Sequence, residues 1–221
     1  MILDLSTTTV REVNRALHDP AETEYRVLNP AGAHNVAVGL SEPLTVTVEG
    51  HVGYYAAGMN QRAQVTIRGN AGTGVAENMM SGVVHVTGNA SQSAGATAHG
   101  GLLIVDGDAA ARCGISMKGA DIVVGGSIGH MSAFMAQAGR LVVRGDAGDA
   151  LGDSIYEARL YVRGSVKSLG ADCVAKEMRE EHLAELTALL KEAGYEDDEP
   201  ASYTRYGSAR TLYHFHVDNA Y

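Results

Sequence analysis

The apolar positions of this chain recur with a long and regular period. Between Thr45 and Lys167, two aliphatic residues two positions apart return every nineteen residues: Val46 and Val48, Val65 and Ile67, Val84 and Val86, Leu103 and Val105, Ile122 and Val124, Leu141 and Val143, Leu160 and Val162. Period-two spacing puts each pair on one face of a short strand. Two positions after each pair stands a glycine: Gly50, Gly69, Gly88, Gly107, Gly126, Gly145 and Gly164. The next position holds a polar turn former (His51, Asn70, Asn89, Asp108, Ser127, Asp146 or Ser165). An apolar residue then turns back inward, from Val52 and Ala71 to Val166. A unit this short cannot bury its aliphatic face alone, whereas stacked units can. The pattern therefore predicts an all-β fold, a right-handed single-stranded β-helix of about seven 19-residue coils. A left-handed hexapeptide solenoid fits less well, because only one strand per coil is strongly aliphatic. The glycine column is expected to mark a backbone conformation closed to larger residues.

The flanks follow other patterns. Residues 1–44 read as an N-terminal cap with a short helix. Thr9 and Glu12 have the spacing of a capping box, Val10, Val13, Ala16 and Leu17 form one face, and Pro20 ends it. Residues 25–44 read as two short strands and turns. After the repeat domain, residues 45–170, residues 171–221 read as a C-terminal helix and an aromatic tail. The helix is expected from about Asp172 to Ala193, with Val174, Met178, Leu186, Leu189 and Leu190 near one stripe and Gly194 as its cap. An acidic linker, YEDDEP, follows. In the tail, Tyr213, Phe215 and Val217 alternate with His214 and His216, which predicts one docked strand.

Two columns change character along the stack. Three positions before the glycine, facing outward, stand Thr47, Thr66, His85, Ile104, Val123, Val142 and Tyr161. The last four make an apolar stripe that something must cover; the C-terminal helix and a partner subunit are the two candidates, and proximity in sequence favours the helix. Eleven positions after the glycine stand Gln61, Met80, His99, Lys118, Gln137 and Tyr156, a row of larger side chains on one flank. It reads as a solvated ridge or as a contact surface for another subunit, with Met59, Met79, Met117, Met131 and Met135 nearby. The possible interface residues are thus Ile104, Val123, Val142, Tyr161, Met80, His99, Lys118, Gln137 and Tyr156.

Charge narrows the function. The net charge is -9. Between Ala171 and Pro200, ten acids stand against Lys176, Arg179 and Lys191, so that segment carries most of it. An acidic appendage on a near-neutral body argues against nucleic acid, which needs a basic footprint, and against an anionic membrane surface. No apolar run suggests a membrane span and no signal peptide is readable, so a cytoplasmic protein is expected.

Candidate chemistry is sparse. Cys113 and Cys173 have no metal or redox spacing, and Cys113 reads as a small buried hydrophobe. Asp106 and Asp108 flank Gly107 but occupy turn columns that hold other residue types elsewhere. His214 and His216 share a strand side without a further ligand in register. The run Gly69 to Gly74 (GNAGTG) does not open a helix and is discounted as a phosphate loop. No catalytic, cofactor-binding or metal-ligating residue is assigned.

The coil sequences GHVGYYAAGMNQRAQVTIRGNAGTGVAENMMSGVVHVTGNAS and GATAHGGLLIVDGDAAARCGISMKGADIVVGGSIGHMSAFMAQAG, spanning about Leu44 to Gly170, resemble the glycine-repeat (GXGXG) domain at the C-terminus of the glutamate synthase large subunit. They are more distantly similar to the corresponding glycine-repeat component of formylmethanofuran dehydrogenase. The N-terminal cap and the RYGSAR segment look like those of free-standing versions of this domain. The resemblance implies a scaffold without chemistry of its own, in a glutamate-synthase-like or N-methylglutamate-synthase-like complex. Its partners would be a class II glutamine-amidotransferase-like subunit and an FMN-dependent glutamate-synthase-like subunit, with FMN and an iron–sulfur cluster in the latter. The alternatives are a component of a formylmethanofuran- or formate-type dehydrogenase, and a stand-alone β-helix enzyme acting on polysaccharide.

Overall fold

The computed structural model describes residues 1–212; the strand expected at Tyr213, Phe215 and Val217, with His214 and His216, lies outside the described residues. The chain forms a β-solenoid around a single sheet of eleven strands. In chain order the elements are β1 (Ile2–Asp4), α1 (Val10–His18), β2 (Glu24–Leu28), β3 (Thr45–Glu49), β4 (Gln64–Ile67), β5 (Val83–Val86), β6 (Leu102–Val105), β7 (Lys118–Val124), β8 (Ala138–Val143), β9 (Arg159–Val162), β10 (Cys173–Lys176), α2 (Glu180–Glu192) and β11 (Thr204–Ser208). Strands β1 to β9 are parallel neighbours in sequence order. From β3 onward the register advances by one repeat per strand, as in Val46↔Val65 and Val84↔Leu103. The aliphatic pairs point inward and form one continuous core with the small residues of the rest of each coil. A second parallel ladder runs Val52, Ala71, Ala90, Ala109, Ile128, Ala147, Val166, one bridge per coil.

The glycine column has a different cause from the one expected. Only Gly50 has a positive φ in that column. The other six lie where successive coils approach too closely for a side chain. A Cβ at Gly107 would fall 2.2 Å from Asn89 Oδ1 and 2.9 Å from the Gly88 carbonyl oxygen. At Gly126 it would fall 2.1 Å from Asp108 Oδ1. What fills that space is the polar column beside it. From His51 to Asp146, each of its side chains accepts a hydrogen bond from the backbone N–H of the equivalent residue one coil on. Asn70 N–H donates to His51 Nδ1 (2.9 Å), Asn89 to Asn70 Oδ1 (2.8 Å) and Asp108 to Asn89 Oδ1 (2.8 Å). Ser127 donates to Asp108 Oδ1 (2.7 Å), Asp146 to Ser127 Oγ (3.0 Å) and Ser165 to Asp146 Oδ1 (2.7 Å). Glycine and its polar neighbour are one device: the first makes room for the hydrogen bond of the second.

Each coil turns back through three left-handed residues at alternate positions. In one coil these are Tyr55, Ala57 and Met59, at φ of +60°, +52° and +54°; four coils on they are Met131, Ala133 and Met135. Left-handed backbone costs a residue other than glycine about 1 kcal/mol. Hydrogen bonds between coils hold it in place. The outer two residues donate to the next coil (Tyr55 N–H to Thr73 O, Met59 N–H to Glu77 O), and the middle one donates to the coil before (Ala57 N–H to Val36 O).

Both ends of the stack are closed. The sheet runs further toward the N-terminus than the glycine ladder marks, because β2 pairs with β3 in full register and residues 24–44 form a coil of the same design. Helix α1 seals that coil. Its capping box is formed, with Glu12 N–H donating to Thr9 Oγ1 and Thr9 N–H donating to Glu12 Oε2. Val13 and Leu17 enter the core. Asn14 supplies the partners that a preceding coil would have given: its amide donates to the Asn35 carbonyl at 2.7 Å and accepts from Ala37 N–H at 2.8 Å. At the other end β11 lies antiparallel on β9 and β10 antiparallel on β11, so the edge of β9 is paired.

The C-terminal helix is shorter than the sequence suggests. Residues 173–176 are the strand β10, and α2 begins only after Arg179. Asp172 is left-handed (φ +65°) and breaks the chain direction, and Cys173 packs into the end of the solenoid core. Gly194 does terminate the helix, at φ +84°, with Tyr195 N–H bonded back to the Leu190 carbonyl.

Candidate functional site

The outer face of the sheet is covered over β6 to β9 by α2. Leu186, Leu189 and Leu190 lie on Leu102, Ile104, Val123, Val142 and Tyr161 and make a second core distinct from that inside the coils. The four stripe residues Ile104, Val123, Val142 and Tyr161 are at most 6% exposed. The chain's own helix therefore covers them, and they are not a surface for another subunit. Polar contacts fix the helix. Glu185 accepts from the Tyr161 hydroxyl and pairs with Arg159 at 2.9 Å. Burial and the Glu185 carboxylate push the Tyr161 phenol well above its usual range.

A second clamp lies where the chain leaves α2. Asp198, 7% exposed, accepts a two-pronged bond from Arg144 (2.7 and 2.8 Å), one from Arg163 (3.0 Å) and one from the Tyr203 hydroxyl (2.6 Å). The Arg144 hydrogen bonds, outweighing burial, hold the Asp198 carboxyl down at about 2. Arg144 also stacks on the Tyr195 ring at 4.1 Å, and the Tyr195 hydroxyl bonds Asp106 at 3.0 Å. The acidic segment expected to be a linker is thus tied to the solenoid.

The flank row is placed otherwise. Gln61, Met80, His99, Lys118 and Gln137 stand one per coil and exposed, and Tyr156 at the end of the row is half-buried. Met59 and Tyr54, each about half exposed, lie on the neighbouring turns, and Tyr54 stacks on His34 with centroids 3.8 Å apart. Of the five methionines placed beside the row, Met79 and Met117 are core residues, fully buried. Their columns turn inward, so they fill the narrow core instead of presenting a surface. The row itself is available for contact across five coils.

The residues weighed for chemistry are occupied in other ways. Asp108 is a rung of the hydrogen-bonded column, and Asp106 bonds His85 Nε2 (2.9 Å) and Tyr195. They do not face each other across a cleft. Both cysteines are buried; desolvation raises the Cys113 thiol to about 12, and desolvation reinforced by Asp172 raises Cys173 to about 12. Neither forms a thiolate at neutral pH. Among the described residues no group of three or more His, Cys, Asp or Glu is placed to hold a metal ion, and no helix is long and apolar enough to cross a membrane.

These features define a class: a closed β-solenoid with its own helix over one face and an exposed side-chain row on a flank. The chain is 62% identical over 223 residues to Protein GlxC of Rhizobium meliloti (strain 1021), a match that covers 99% of this chain and 98% of that protein. It belongs to the family of that protein. No family model and no solved structure matches it.

Proposed function

We propose that the chain is a non-catalytic scaffold subunit of a glutamate-synthase-like complex, N-methylglutamate synthase or a related enzyme of glutamine and glutamate metabolism. It bridges an amidotransferase-like subunit and a synthase-like subunit that carries FMN and an iron–sulfur cluster. The observation that carries this reading is the contrast between inside and outside. The core columns repeat from coil to coil, whereas the exposed flank row differs between neighbouring coils, so successive heights on the rod offer different contacts. Both rod ends are capped, which favours lateral partners over end-to-end stacking of copies. The resemblance of residues 44–170 to the glycine-repeat domain supplies the identity of the complex. Purified chain is expected to bind no flavin and to release no ammonia from glutamine, measured by absorbance and by a coupled ammonia assay. Turnover by the isolated chain, lost on substituting one of its own residues, would contradict the proposal.

A further inference from the structure

The C-terminal end of the molecule carries a cleft of ≈ 340 Å³, formed by β9, β10, β11 and the start of α2. Five of the 17 lysines and arginines line it: Arg159, Lys176, Arg179, Arg205 and Arg210. Glu157 is the one carboxylate among the lining residues. In a chain of net charge -9 this convergence runs against the overall composition.

The cations are incompletely satisfied. Arg210 pairs with Glu157 at 2.9 Å and Arg179 with Glu181 at 3.1 Å, but all four side chains are more than half exposed, and such pairs exchange readily. Arg205 Nε donates to the Glu177 carbonyl, which leaves its charge unneutralised. Arg159 Nε is buried without an aligned acceptor, although Glu185 stands 2.9 Å away. Lys176 forms no ion pair among the described residues. The buried ring of His182 also lines the cleft. Its Nδ1 accepts from the Arg179 N–H at 3.2 Å, so the neutral ring carries its proton on Nε2, whose nearest carboxylate, Glu181, is 3.9 Å away. Burial, with Arg205 and Arg179 beside it, lowers the His182 pKa and keeps the ring a neutral donor.

We propose that this cleft binds a small polyanion bearing two or more carboxylate or phosphate groups. Guanidinium forks match the paired oxygens of both groups, and clustered like charges focus the field on the cleft. Apart from Tyr156, Ala158 and Gly207 the lining residues are charged or polar, so recognition is by charge and not by an apolar body. This site is independent of the scaffold reading.

The test is calorimetric titration of the full chain at fixed ionic strength with citrate and with pyrophosphate, against sodium chloride as the screening control. One saturable site per chain is expected, and the tighter of the two anions identifies the group recognised. Lys176→Gln and Arg210→Gln should each weaken binding about fivefold or more, while Lys191→Gln at the other end of α2 leaves it unchanged. A second readout needs no variant: the bound anion should protect Arg205 and Arg210 from phenylglyoxal, read by peptide mass spectrometry. Absence of saturable heat with both anions, or equal binding by wild type and both cleft variants, or unprotected arginines, would each overturn the proposal.

Discussion

Adding one methyl group at Gly107 tests the stacking device most sharply. In Gly107→Ala the new Cβ would meet Asn89 Oδ1 at 2.2 Å, Gly88 O at 2.9 Å and Asn89 Cγ at 3.1 Å. The Asn89 side chain must move, and its bond from Asp108 N–H (2.8 Å) is lost. Losing that bond costs about 1 kcal/mol, and forcing coils apart costs about 1–3 kcal/mol. The stiffer unfolded chain returns about 0.5 kcal/mol. The net expectation is a loss of about 2–3 kcal/mol. Asn89→Ala alone should cost about 1 kcal/mol for the same bond. In the double variant the obstruction by Oδ1 is gone and the bond is already absent, which leaves only the Gly88 carbonyl in the way. The second substitution should therefore cost about 1 kcal/mol, a coupling of about 1.5 kcal/mol between the sites. Urea unfolding of the four proteins, followed by circular dichroism with slopes compared, measures it. Additivity within about 0.5 kcal/mol would refute the claim that glycine is there to make room for its neighbour's hydrogen bond.

Other outcomes follow from the same geometry. Arg112 is exposed and left-handed at φ +61°, so Arg112→Gly should stabilise the protein by up to about 1 kcal/mol, whereas Thr66→Gly in β4 should destabilise it by a similar amount; thermal melts compare the two. Asn14→Ala removes both backbone partners of the first coil and should cost about 1–2 kcal/mol, with faster hydrogen exchange at the Ala37 amide. The Asp198 carboxyl is depressed from 3.8 to about 2, so its stabilisation is complete above pH 4 and is lost as pH falls through about 2. That difference corresponds to about 2 kcal/mol. Asp198→Asn should lower the melting temperature at pH 7 and flatten its decline between pH 4 and 2. An unchanged decline would place the acid sensitivity elsewhere.

The repeat was legible because stacking makes every coil solve the same problem. Inward aliphatics, glycine and polar turn residue each recur at one spacing, and the column of Ala57, Ala76, Gly95, Gly114, Ala133 and Gly152 was visible as small residues. What that column does was not visible. It is left-handed throughout, and so are two further columns holding Tyr55, Ser93, Arg112, Met59 and Thr97, types that carry no signal for such backbone. Tertiary hydrogen bonds between coils impose the conformation against local preference. The first coil, residues 24–44, was hidden because it is longer than nineteen residues and lacks the glycine phase. The helix boundary failed for a related reason. Cys173 to Ala175 is apolar, and the stretch to Lys176 is flanked by Asp172 and Glu177 like a helix start, but pairing with β11 decides its state. The apolar stripe announced that it needed a cover, and α2 provides it. The basic cleft is not legible in the sequence, because its cations come from three separate stretches: Arg159, Lys176 with Arg179, and Arg205 with Arg210.

The central claim, a scaffold that grips unlike neighbours along its flank, is tested most directly by affinity purification of the tagged chain from its native host. Mass spectrometry of the wild type is compared with a variant carrying Met80→Glu, His99→Glu and Gln137→Glu. The wild type is expected to bring down an amidotransferase-like subunit and a flavin-containing synthase-like subunit, and the folded flank variant to lose at least one of them. Recovery of the wild-type chain alone, as a monomer, would contradict it.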